Sequence, residues 1–86
     1  MGQFEKILIK ILCGTKDNYI DFNDLCKVLK SFEFKVRTKG SHHIFYKDGI
    51  AEIINIQPDG SRAKPYQVKQ VRHIILKYKM GGAIDA

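Results

Sequence analysis

Tryptophan is absent from this 86-residue chain, proline and cysteine occur only twice each, and carboxylates thin out after residue 33. No apolar run approaches the ~20 residues that a membrane-spanning helix needs. Each shortage excludes something. Cys13 and Cys26 are too few and too far apart for a zinc site, and no Cys-x-x-Cys pair occurs. Both are expected as buried free thiols on apolar helical stripes. The opening Met1-Gly2-Gln3 begins no signal peptide, so the cytoplasm is the expected compartment and a membrane is not an expected partner. No spaced carboxylate cluster suggests magnesium ligands, and neither a metal nor a small-molecule cofactor is expected. No repeat, linker or low-complexity segment interrupts the chain. At 44% hydrophobic and 28% charged, the composition is that of one small globular domain over 1–86.

The net charge of +6 is unevenly placed. Residues 1–33 balance five lysines against five carboxylates, whereas residues 34–86 carry ten lysines and arginines against four carboxylates. The excess therefore lies entirely in the second part. A one-sided basic surface is the electrostatic footprint of a nucleic-acid binder. A solvated face that keeps the protein soluble is the plainer alternative.

Phe4, Ile7, Leu8, Ile11 and Leu12 recur at helical spacing, so a first amphipathic helix is expected over 4–13, ended by Gly14. Asp21 is placed to cap a second helix, whose stripe is Phe22, Leu25, Cys26, Leu29 and Phe32. From Glu33 the period changes to two. Phe34, Val36 and Thr38 should turn inward while Lys35, Arg37 and Lys39 face out. His43 to Lys47 is the next strand, Asp48-Gly49 a two-residue hairpin signature, and Ile50 to Gln57 a third strand. Pro65 suits the first position of a last helix, with Val68, Val71, Ile74, Ile75 and Tyr78 inward and His73 outward. Gly81 and Gly82 should end that helix and 83–86 should fray. This order predicts a two-layer α+β domain: a three-stranded antiparallel sheet, helices on one face, the other face open.

The stretch with chemical potential is Thr38-Lys39-Gly40-Ser41-His42-His43-Ile44-Phe45-Tyr46. Gly40 and Ser41 suit a tight corner, and two histidines emerge from it among cations and aromatics. An unperturbed imidazole, with a pKa of ~6.5, both takes and gives a proton near neutrality. A pair of hydrogen-bonding surface histidines is the plainer alternative. If both lie in one strand they face opposite ways, and a packing role is expected for His43. Of Phe45 and Tyr46, core packing is expected for Tyr46, which shares its side with Ile44. Either aromatic, if outward, could stack on unpaired bases.

At Lys39-Gly40-Ser41-His42-His43-Ile44-Phe45, preceded by a helix and an extended basic strand, the sequence resembles the HicA family of mRNA interferase toxins. The resemblance covers roughly Phe22 to Tyr78. It implies a fold similar to a double-stranded-RNA-binding domain with its core at 21–80, to which 1–20 adds an extra N-terminal helix and loop. It further implies that His42 is the catalytic histidine, that Gly40 and Ser41 form the family's corner, and that Lys64 to Arg72 is its basic final helix. The implied partners are mRNA and a HicB-like antitoxin. Where family members often carry a proline–histidine pair after the third strand, this chain has Gln57-Pro58, and Lys64-Pro65-Tyr66-Gln67 departs from the usual helix start.

The chemistry so implied is attack of a 2′-hydroxyl on the adjacent phosphorus, which needs a base, an acid and positive charge but no metal. His42 is the expected acid or base. Arg37 and Lys39, together with Lys64, Lys69 and Arg72, are the expected RNA contacts. A non-catalytic RNA-binding module of the same fold is the main alternative, and a DNA-binding or partner-binding adaptor a third.

Overall fold

The computed structural model describes residues 2–80. The two N-terminal apolar periods fold as helices α1 (Gln3–Cys13) and α2 (Phe22–Ser31), separated by a single 3-10 turn at Asp17–Tyr19. Strands β1 (Lys35–Lys39), β2 (His42–Tyr46) and β3 (Ile54–Ile56) follow, and then helix α3 (Pro65–Lys77). The strands form one antiparallel sheet in the order β1-β2-β3, as the alternation after Glu33 leads one to expect.

One core joins the two layers. Ile7, Leu8 and Ile11 of α1, Leu25, Val28 and Leu29 of α2 and Val68, Val71 and Ile75 of α3 meet Phe45, Ile54 and Ile56 of the sheet. Burying each such side chain contributes about 1.5–3 kcal/mol. α1 is part of that core, and its Phe4 also meets Phe32 edge-on, with ring centroids 5.6 Å apart. Arg72 of α3 ties the layer together from the side. It pairs with Asp17 at 2.8 Å and donates to the Ile11 carbonyl at 3.2 Å.

Helix ends obey local chemistry, with two departures from expectation. Asp21 occupies the N-cap position of α2, yet its side chain makes no capping bond. Instead the segment 59–63 holds that entry, because the Phe22 N–H donates to Ser61 and the Ala63 N–H to Ile20. At the far end, Glu33 takes a left-handed φ of 68°. The Phe34 N–H then reaches Leu29 and the Glu33 N–H reaches Lys30, closing the paired bonds of a Schellman motif. α3 ends the same way at Lys77, with Lys79 at φ 55° and the Met80 N–H on Ile75. Its end therefore precedes Gly81 and Gly82, which, like 83–86, lie outside the described residues.

Four further expectations need correcting. Cys13 is exposed, because it lies two residues past Ile11 and so off the buried stripe of α1. Its thiol is held below the ordinary range by its bond with Thr15, while burial pushes the Cys26 thiol up to about 11. The third strand is only Ile54–Ile56. Its expected first half is a loop fastened to the end of α3, where the Tyr78 hydroxyl accepts from the Ala51 N–H and donates to Glu52 at 2.6 Å. Asp48-Gly49 makes a turn inside that longer connection and not a two-residue hairpin. Finally, Phe45 is fully buried whereas Tyr46 is 39% exposed, which reverses the expected facing of these two aromatics, while His43 packs inward as expected.

Candidate active site on the open sheet face

The β1–β2 corner sets which side chains share a face. Lys39 pairs with His42, so Gly40 and Ser41 form a two-residue turn. Only Gly40, at φ 61°, has a positive φ, the pattern of a type II′ hairpin turn that favours glycine at its first central position. Residues directly opposite in an antiparallel pair lie on the same face. The pairs Lys35–Tyr46, Arg37–Ile44 and Lys39–His42 therefore put three cations beside His42, Ile44 and Tyr46. Asn55 joins them through its pairing with Ile44. The helices cover the other face, where Phe45, Ile54 and Ile56 are buried.

His42 is exposed, and its Nδ1–H donates to the Asn55 amide oxygen at 3.1 Å. An Nδ1 engaged in this way fixes the tautomer and leaves Nε2 as the nitrogen that takes or gives a proton. His43 turns to the helical side. Its ring stands edge-on to Phe22 at 4.9 Å between centroids, and its Nδ1–H donates to the Ser41 carbonyl at 3.2 Å. The Ser41 hydroxyl in turn accepts from the Gln57 amide at 2.8 Å, which braces the corner from the end of β3.

The expected site residues divide between the two layers. Arg37, Lys39, Gly40, Ser41 and His42 come together on the open face and its corner. Lys64 is the N-cap residue of α3, while Lys69 and Arg72 lie within that helix, so all three belong to the helical layer. Arg72 was expected to contact RNA phosphate, but its guanidinium is already committed to both carboxylate oxygens of Asp17, with the two side chains only 16% and 11% exposed. Lys35, expected to face out, joins this face, and Asn55 and Gln57 are additions that the sequence did not single out. Asn55 had a readable signal, as the polar residue in the run Ile53-Ile54-Asn55-Ile56, and alternation puts it on the face opposite Ile54 and Ile56.

No group of three or more metal-ligating side chains converges among the described residues. No helix among them is long and apolar enough to cross a membrane. No curated protein and no solved structure matches the chain significantly. The sequence model of the family described as "HicA toxin of bacterial toxin-antitoxin" does match, over residues 22–81. That span holds α2, the whole sheet, α3 and the Gly40-Ser41-His42 corner, and leaves α1 outside it. With more than half its length matched, the chain belongs to the HicA family, the toxins of bacterial toxin-antitoxin systems, and an antitoxin is its implied partner.

Proposed function

We propose that the protein is an endoribonuclease that cuts mRNA in the cytoplasm, with His42 as the proton-transfer group and a HicB-like antitoxin covering the open face at rest. One observation carries this reading: an exposed imidazole has Nδ1 bonded to Asn55 and stands opposite Lys39 in the sheet. Neutral, its Nε2 accepts the proton of a 2′-hydroxyl as that oxygen attacks phosphorus. Protonated, the same atom gives a proton to the departing 5′-oxygen. Each such positioned transfer contributes about 10²–10⁴-fold to rate. Lys39 and Arg37 bear on the negative charge that grows on the phosphate. The strand residues of this face include no carboxylate, so the reaction relies on these cations and leaves a 2′,3′-cyclic phosphate.

The same cationic face supports a second reading, an RNA binder that does not cut. Growth of bacteria under induced expression separates the two. The ribonuclease reading predicts arrest by the natural chain, relief by His42→Ala, and relief by co-expressed antitoxin. Continued growth with the natural chain well expressed would favour the binder.

A further inference from the structure

Three large apolar side chains on the open face have no role in the proton chemistry. Ile44 is half-buried, while Tyr46 and Ile53 are 39% and 63% exposed. With Arg37 they line a groove of about 350 Å³ on the same face as His42. A groove of about 380 Å³ also lies between α1 and α2, beside Phe4, Ile7 and Val28, but in the helical layer. The sheet groove is different in kind, because it continues the site. At a strand rise of ~3.3 Å per residue, Ile44 and Tyr46 lie roughly 7 and 13 Å along β2 from His42.

We propose that Arg37, Ile44, Tyr46 and Ile53 form a subsite for an unpaired nucleobase next to the bond that His42 cuts. The proposal rests on the ribonuclease reading and adds a determinant of where RNA lies on the sheet. Its occupant follows from charge and shape. Lys35, Arg37 and Lys39 run along β1 as a row of cations, suited to a phosphate backbone. Beside that row, the Tyr46 ring and the aliphatic surface of Ile44 and Ile53 offer a flat apolar seat for a base. Arg37 adds a planar guanidinium that stacks on bases as well as pairing with phosphate. Such a combination of cationic track and aromatic platform favours single strands over duplex, whose bases are already stacked.

The test is binding of a fluorescent single-stranded 2′-O-methyl RNA, which lacks the attacking hydroxyl, to the natural chain, Tyr46→Ala, Tyr46→Phe and Lys39→Ala. Loss of one base–aromatic stack corresponds to a weakening of about 5- to 150-fold for Tyr46→Ala. Tyr46→Phe should bind like the natural chain. An RNA with a single abasic position should show the same loss at one register, with no further loss when combined with Tyr46→Ala. Unchanged binding by Tyr46→Ala, alongside weaker binding by Lys39→Ala, would overturn the subsite and leave the ribonuclease reading standing. No binding by the natural chain at any salt would overturn both. Intact RNA binding with lost antitoxin binding in Tyr46→Ala would assign the apolar groove to the protein partner and likewise overturn the subsite.

Discussion

His42 on β2 and Asn55 on β3 are bonded across the sheet, Nδ1 to Oδ1, at 3.1 Å. Each strand supplies one side chain, so the geometry proposed for proton transfer exists only when the β2–β3 ladder is formed. In the proposed reaction Asn55 is a positioning residue that acts through the imidazole. Replacing it by Ala should slow cleavage by about 2- to 10-fold, the worth of one neutral hydrogen bond of about 0.5–1.5 kcal/mol. Asn55→Asp should do something a merely structural change would not. A carboxylate facing Nδ1 favours the imidazolium, so the rate profile should move to higher pH. A profile left in place, with only the rate altered, would contradict the positioning role.

Arg72 and Lys39 should separate stability from RNA binding. The Arg72–Asp17 pair is largely buried, and Arg72 also carries the Ile11 carbonyl. Arg72→Ala should cost about 1.5–3 kcal/mol of stability, the range for hydrogen bonds to charged groups. Lys39→Ala should leave stability within about 0.5 kcal/mol while flattening the salt dependence of RNA binding, by about 0.7 of a log–log unit per lost phosphate contact. Urea titrations and binding at several salt concentrations check the two halves. The opposite pattern would place the RNA track on α3.

The loop that replaces the first half of β3 should carry a pH signature. Hydrogen bonds from Lys77 and then Tyr78 hold the Glu52 carboxyl down at about 2, from an ordinary value of 4.5. A carboxylate depressed on folding stabilises above its unfolded pKa and loses that contribution as pH falls through the folded one. Thermal stability of the natural chain should therefore fall between about pH 4.5 and about pH 2, and Glu52→Gln should flatten that stretch. Parallel melting curves for the two proteins across this window would contradict the latch.

The helices were legible because an apolar period of 3.6 residues fits a helix and not a strand: Ile7, Leu8 and Ile11, or Val68, Val71 and Ile75, must share a face. The cationic face of β1 was legible in the same way at period two. β2 was not, because both its faces carry apolar residues. Tyr46 shares its side with Ile44, which favours it for the core, whereas the sheet buries Phe45 on the side where His43, as expected, packs against Phe22. The His42 corner could be read from a short contiguous motif. Its support could not, since the His42–Asn55 bond spans 13 residues and the Arg72–Asp17 pair spans 55. Contacts of that range depend on strand order and helix docking, which local spacing does not specify.

If His42 cuts RNA by transferring protons without a metal, the chemistry of the new RNA ends records it. Purified natural chain and His42→Ala, both free of antitoxin, would be incubated with end-labelled RNA in excess chelator. The natural chain should cleave and leave 2′,3′-cyclic phosphate termini, and a His42→Ala protein that melts like the natural one should be slower by about 10²–10⁴-fold. Undiminished cleavage by His42→Ala, or activity that needs magnesium and leaves 5′-phosphate ends, would contradict metal-free proton transfer by His42.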